Sequence, residues 1–385
     1  MVREIIVGEN FSGRSEALRA WLSARGESFF LGPYAEAALS GLSSTVADEI
    51  AIYRGASERP VFATEVADAI AQKPATLSGG EQVLLALHCF SRSDYARIGI
   101  DNAFEQLDGE NRARALDYLG AGAFDVVLTD NRIGEAPAGW TPREGTGRAP
   151  GAFPLDLASI VGELKPRAAP VIAVSGLDFS YGRKNIFRGV DLNLAPGTAY
   201  RLLGANGAGK TTLLKLLVGV LAPTRGALTL DGASYHPRRD GNTALAFSTQ
   251  NPDHQWCGAT LREDVTRRRK ALARHGDIAF PSDDALAILA GRLGARSLDD
   301  HLYELPLAAR KRLSWLTPLC GALPWIVLDE PTVGQDRLTR EALAAAVTAL
   351  SALGYGTLFV THDDDFAARV PHKILRIGDM IIRGE

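Results

Sequence analysis

The sequence predicts an α/β protein of two related domains, each a mainly parallel sheet with flanking helices. Three observations carry that prediction. Two stretches, EIIVGENFSGRSEALRAWL from Glu4 and AYRLLGANGAGKTTLLKLLVGVL from Ala199, share one order: an apolar run, a Gly-rich loop, then apolar residues at helical spacing. The downstream offsets also repeat. Leu77 lies 24 positions before Asp101, as Leu305 lies before Asp329, and each aspartate precedes another, Asp108 or Asp336, by 7. Each half then offers a strand ending in Thr plus a polar residue, VVLTD at 126–130 and LFVTH at 358–362. Strands alternating with helical segments imply parallel pairing through right-handed crossovers.

The chain's 385 residues suffice for two or three domains. At 46% hydrophobic and 23% charged with a formal charge of −3, it reads as an ordinary globular protein without a global pull towards nucleic acid or acidic membranes. The longest apolar runs, such as ALPWIVL at 322–328, are strand-sized and far short of the ~20 residues that span a bilayer, so no membrane span is expected. MVREIIVGE enters a strand without the zones of a signal peptide. Cys89, Cys257 and Cys320 form no CxxC pair, which disfavours disulfide or zinc roles and suits a reducing cytoplasm. Residues 1–134 and 172–385 are expected as the two domains. Between them, 135–171 is rich in Gly, Pro, Ala and Arg and reads as a linker with one short helix near LDLASIVGEL at 155–164.

In the second half, GANGAGKT from Gly204 to Thr211 fits the GxxxxGK[ST] phosphate loop of P-loop NTPases, between a strand and a helix. Gly204, Gly207 and Gly209, with Asn206, let backbone N–H groups curl round a β-phosphate; Lys210 neutralises its oxygens, and Thr211, followed by Thr212, offers a hydroxyl to Mg²⁺. WIVLDEPT at 325–332 then supplies Asp329 at the end of a buried strand, a suitable Mg²⁺ partner, and Glu330, a suitable base for water.

With both motifs in order, the chain resembles the ATP-binding cassette (ABC) ATPase family, which implies ATP and Mg²⁺ as cofactors. The resemblance assigns Gln250 in FSTQNPDHQ to the Q-loop, as Mg²⁺ ligand and γ-phosphate sensor, and His362 in LFVTHDDD to the switch that contacts the γ-phosphate. It assigns Tyr181 in LDFSYGRKNIF to stacking on adenine, worth ~1–3 kcal/mol if it matches base stacking elsewhere. One motif departs. Where the family signature LSGGQ belongs, the second half reads LPLAAR from Leu305 to Arg310; Pro306 has no N–H to offer, and Leu307 and Ala308 put side chains where glycines admit a phosphate.

The first half has the complementary deficits. LSGGEQ at 77–82 is intact, so Ser78, Gly79 and Gly80 can hold a γ-phosphate at a helix N-terminus. In GENFSGRS at 8–15, however, Arg14 replaces lysine and Phe11 stands at the position of Gly207. Asn102 replaces the glutamate after Asp101 and cannot accept a proton; Asp130 is matched to the switch histidine, and Ala35 or Glu36 to the Q-loop glutamine. Each half is expected to carry a helical subdomain, while most of the ~19 residues that bear the hairpin-like GALTLDGASYHP are lacking from the first, so its antiparallel β subdomain is largely missing.

Family cassettes pair head to tail, so the resemblance implies that the halves pair within one monomer. One composite site then combines Lys210, Asp329, Glu330, Gln250 and His362 with Ser78, Gly79 and Gly80, and the other is degenerate. QNPDHQWCGATLREDV from Gln250 resembles the Q-loop region of energy-coupling-factor transporters, and SGLSSTVADEI looks like its degraded copy. That group implies a separate transmembrane subunit, uptake of a micronutrient, and a place on the cytoplasmic face of the membrane. The alternative is a soluble ABC ATPase acting on ribosomes or DNA; TRRRKALARHG at 266–276 is the one basic cluster in its favour, and nucleic acid is not the expected partner.

Overall fold

The structure is a computed structural model that describes residues 1–7, 14–24, 26–53, 61–130, 136–145, 169–182, 184–240, 242–275, 280, 282–305, 307–315, 323–378 and 381–384. The chain divides into two compact units, Met1–Ala152 with Val333–Arg337, and Phe153–Thr332 with Leu338–Glu385.

In the first unit β1 (Arg3–Val7), α1 (Arg14–Ser23) and β2 (Phe29–Leu31) are followed by α2 (Val46–Ile52), α3 (Ala63–Asp68) and α4 (Gly79–Ser91). Then come β3 (Arg97–Asp101), α5 (Gly109–Ala121), β4 (Asp125–Thr129) and β5 (Thr141–Glu144). The strands form one sheet in the order β2-β3-β4-β1-β5, with every pairing parallel. Strands covered on both faces read as continuous apolar runs, as Ile98, Ile100, Val126, Val127 and Leu128 do with no exposed surface. β5 lies inside the stretch expected as linker. TPRE lacks the apolar signal of a strand because all four residues are exposed at the sheet edge, and Trp140 before it is buried. The short helix expected near 155–164 lies outside the described residues.

The second unit has two sheets. The antiparallel one runs β10-β9-β6-β7, from β6 (Ile172–Tyr181), β7 (Lys184–Leu194), β9 (Arg225–Leu230) and β10 (Ala233–Ser234). The alternation of buried and exposed residues along β7 is that of a sheet with one wet face. The other runs β11-β12-β13-β8-β14-β15, from β8 (Ala199–Leu203), β11 (Leu245–Ser248), β12 (Trp325–Asp329), β13 (Gly356–Val360), β14 (Lys373–Gly378) and β15 (Ile381–Gly384). Only β14–β15 pairs antiparallel in it. WIVLD of β12 is wholly buried, and its neighbour makes room for it: a Cβ on Gly356 would come within 2.3 Å of the Trp325 ring. The helices are α6 (Lys210–Leu217), α7 (Pro237–Asp240), α8 (Leu261–Leu272), α9 (Asp283–Leu293), α10 (Leu307–Ser314), α11 (Arg337–Ala352) and α12 (Asp364–Arg369). The antiparallel sheet has no counterpart among the described residues of the first unit.

The repeat extends to backbone geometry. Asn102 and Glu330, both one residue past the buried aspartate, adopt left-handed φ values of 53° and 45°. Thr45 and Thr260 both cap a helix, accepting from Asp48 and Glu263 N–H respectively. Among the described residues no helix is long and apolar enough to cross a membrane.

Candidate functional site

The loop from β8 to α6 is shaped by its glycines. Gly207 and Gly209 have φ of 76° and 101°, and a Cβ on Gly209 would lie 2.6 Å from Ile186 Cγ2 and 3.0 Å from the Phe187 ring. A side chain there is therefore excluded by both strain and contact. The same proximity seats β7 on the phosphate loop. Tyr181 ends the partner strand β6, 37% exposed, with its ring edge-on to Phe179. Lys210 Nζ donates to the carbonyls of Gly204 at 2.7 Å and Ala205 at 3.1 Å, which holds the ammonium over the loop. Thr212 turns into the core, 8% exposed, so its contribution is to anchor the helix start.

β12 delivers Asp329 and Glu330 to this loop. Asp329 is 2% exposed with the Thr211 side chain close enough to favour its ionised form, yet its Oδ1 is buried with no hydrogen-bond partner among the described residues. Burial pushes its carboxyl up to about 6, helped by the Glu330 charge and opposed by Thr211, Lys311 and Lys215. An unpartnered buried carboxylate oxygen beside a threonine hydroxyl is a fit for a hard divalent cation, with Thr211, Asp329 and the Q-loop residue Gln250 as the set that would hold Mg²⁺. Glu330 Oε2 accepts from His362 N at 3.2 Å, and its Oε1 stands 3.6 Å from His362 Nε2. The candidate base and the candidate switch histidine are thus neighbours. A non-glycine residue at φ 45° is strained, and strain of this kind, of order 1–3 kcal/mol, concentrates at reactive positions.

The first unit has the same frame, with its buried aspartates bonded internally. Asp101 Oδ1 accepts from Thr129 Oγ1 at 2.6 Å and from Asn102 Nδ2 at 3.1 Å, the side chain after it being an amide rather than a second carboxylate. Arg14 is 5% exposed; burial lowers its pKa against the attraction of Glu105, Asp101 and Asp130. Asp130 is paired to Arg112 at 2.7 Å with its side chain wholly buried. Strand register corrects one assignment. Thr129 stands opposite Asp101 as Val360 stands opposite Asp329, so Asp130 matches Thr361, and the residue matching His362 is Asn131, outside the described residues. Gly8 to Gly13, with Phe11, also lie outside them. Ala35, the expected Q-loop counterpart, is buried in a short 3-10 turn beside Glu36.

LSGGEQ folds as the sequence requires. Ser78 caps the 13-residue α4: its Oγ accepts from Glu81 N, while Glu81 Oε2 takes the Ser78 N–H at 2.8 Å and hydroxyl at 2.7 Å. Gly79 and Gly80 form the first turn, whose free N–H groups suit an anion. In the second unit α10 starts at Leu307, with Pro306 outside the described residues.

Sequence reasoning missed Lys311. It lies at the position of Val83 in the other half, has no exposed surface, and donates to the carbonyls of Thr249 and Gln250, each at 2.7 Å, and of Asp329 at 3.4 Å. Burial lowers its pKa to about 7 against the attraction of Asp329 and Glu330.

Comparisons with known proteins identify the family. The ABC transporter family matches residues 187–333. A putative ABC transporter ATP-binding protein of Streptomyces coelicolor is 34% identical over 230 residues, covering 57% of this chain and 86% of that one. A cobalt import ATP-binding protein of Syntrophus aciditrophicus is 28% identical, covering 56% of this chain and 78% of that one. A putative HMP/thiamine import ATP-binding protein of Bacillus subtilis is 29% identical over 225 residues, 57% of this chain; the match spans only 40% of that protein's length. The chain belongs to the ABC transporter ATP-binding proteins, a family of ATPases with a P-loop α/β fold.

Proposed function

We propose that this chain is the ATP-hydrolysing subunit of a transporter of the energy-coupling-factor kind, serving a separate transmembrane protein that takes up a micronutrient. The observation that carries the hydrolytic part is the contrast between two equivalent aspartates. Asp329 is buried near Thr211 with an unpartnered oxygen among the described residues, whereas Asp101 has its oxygen occupied by Thr129 and Asn102. The import part draws support from relatives whose names specify cobalt and HMP/thiamine import.

Lys210 and the N–H groups of the phosphate loop bind the nucleotide's phosphates, and Tyr181 offers a ring for its base. Thr211, Asp329 and Gln250 would hold Mg²⁺, which would supply neutralisation of phosphate charge when bound. Glu330 orients the attacking water and accepts its proton, a contribution of ~10²–10⁴-fold. His362 and the Gln250 side chain stabilise the charge that develops on the transferred group. The signature for this site is proposed to come from the first half, through Ser78, Gly79 and Gly80, because LPLAAR cannot serve. The second composite site, drawing on Arg14 and Asn102, is proposed to be non-hydrolytic, with the two halves acting as one monomeric clamp.

Purification of the tagged protein in gentle detergent tests the assignment. Co-purification of a polytopic membrane protein with ATPase activity dependent on Lys210 is the expected result; co-purifying ribosomes or DNA would replace transport with the soluble alternative.

A further inference from the structure

The helix that follows the altered signature grips the Q-loop. Arg310 Nη1 bonds both carboxylate oxygens of Asp253 at 2.7 and 2.5 Å, and Gln255 Nε2 donates to Ser314 O at 2.6 Å. Ser314 Oγ lies 3.2 Å from Ser248 Oγ. Between these, Lys311 gives its three N–H groups to the carbonyls of Thr249, Gln250 and Asp329. The same helix in the other half has none of this: the counterparts of Arg310, Lys311 and Ser314 are Gln82, Val83 and Ala86, of which the last two are wholly buried apolar residues and the first bonds Pro74 O. A buried ammonium costs several kcal/mol in desolvation unless its geometry is nearly complete. It occurs only in the half that also has a Q-loop glutamine and a Glu after its buried aspartate.

We propose that Lys311 is a positioning residue for ATP hydrolysis, tying the backbone of the Q-loop to the end of the strand that carries Asp329 and Glu330. This rests on the ATPase reading above. α10 no longer presents a phosphate-binding turn; it fixes where Gln250 stands relative to Asp329. Lys311 has no exposed surface and donates to backbone carbonyls, so it acts through the Q-loop backbone at Gln250. Loss of the tether leaves the phosphate loop intact, because none of its residues bonds to Lys311. Binding should therefore survive while turnover falls.

The test compares Lys311→Met, similar in length but without donors, and Lys311→Gln, which keeps a donor, in the full chain. Expected for Lys311→Met is a kcat lower by about tenfold or more, a KM for ATP within about twofold of the parent, and a higher Mg²⁺ requirement. Amide exchange should quicken by about tenfold across 248–255 and stay unchanged across α6, with Lys311→Gln recovering much of both effects. Unchanged exchange at 248–255 in Lys311→Met overturns the tether, as does a kcat within about twofold of the parent. If Lys311→Met does not fold, Lys311→Gln with parental exchange and a full loss of kcat also overturns it. The exchange measurement uses nucleotide-free protein. A parent with no Lys210-dependent turnover would defeat the ATPase reading while exchange still judged the tether.

Discussion

Replacing Asp329 by Asn should stabilise the nucleotide-free protein while abolishing Mg²⁺-dependent turnover. Burial and Glu330 raise the Asp329 carboxyl from 3.8 to about 6. At 1.36 kcal/mol per unit, the ionised form costs the folded state about 3 kcal/mol. The neutral amide also withdraws the attraction of Asp329 for the buried Lys311, which trims the gain to about 1–3 kcal/mol. The sign follows from linkage. A carboxyl whose folded pKa is raised favours folding below its unfolded value near 3.8, and that advantage is lost as pH rises through about 6. The difference between Asp329→Asn and the parent should therefore be small near pH 4, grow to pH 6 and stay level to pH 8. Thermal unfolding without nucleotide reads it as a rise of ~2–8 °C at pH 8. Added Mg²⁺ and ATP should stabilise the parent more than the variant, by mass action, and narrow or reverse the order. A variant less stable than the parent at pH 8 without nucleotide would refute the unpartnered, cation-ready reading of Asp329.

Glu330→Gln should bind ATP with parental affinity and lose ~10²–10⁴-fold in turnover, measured by phosphate release. Gly209→Ala combines left-handed backbone with a methyl 2.6 Å from Ile186, so it should cost about 2–4 kcal/mol in denaturant stability and weaken ATP binding. Arg112→Met removes the 2.7 Å ion pair from the buried Asp130 and should cost about 3–5 kcal/mol, read as faster amide exchange in β4 and α5.

Much of the site was legible because its chemistry is local in sequence. GANGAGKT needs its glycines where φ is positive, and WIVLDE needs an apolar strand ending in two carboxylates. The paired offsets of the two halves survive as matching left-handed residues, Asn102 and Glu330. The rest depends on contacts that spacing does not encode. β5 is an exposed edge strand with Thr, Pro, Arg and Glu, so composition read it as linker. A one-residue shift in strand register separates Asp130 from the position of His362. LAARKRLS assigns Lys311 no role; only the fold of 249–250 over it makes it buried and bonded. A charge where the repeat has Val83 was the available signal.

The central proposal, that the LSGGEQ of one half serves ATP bound by the other, is tested most directly by ATP turnover of four variants. Lys210→Ala, Glu330→Gln and Gly79→Asp should each abolish phosphate release, and Arg14→Ala should leave kcat within about twofold of the parent. Full turnover in Gly79→Asp, or a loss in Arg14→Ala as deep as that in Lys210→Ala, would contradict the account.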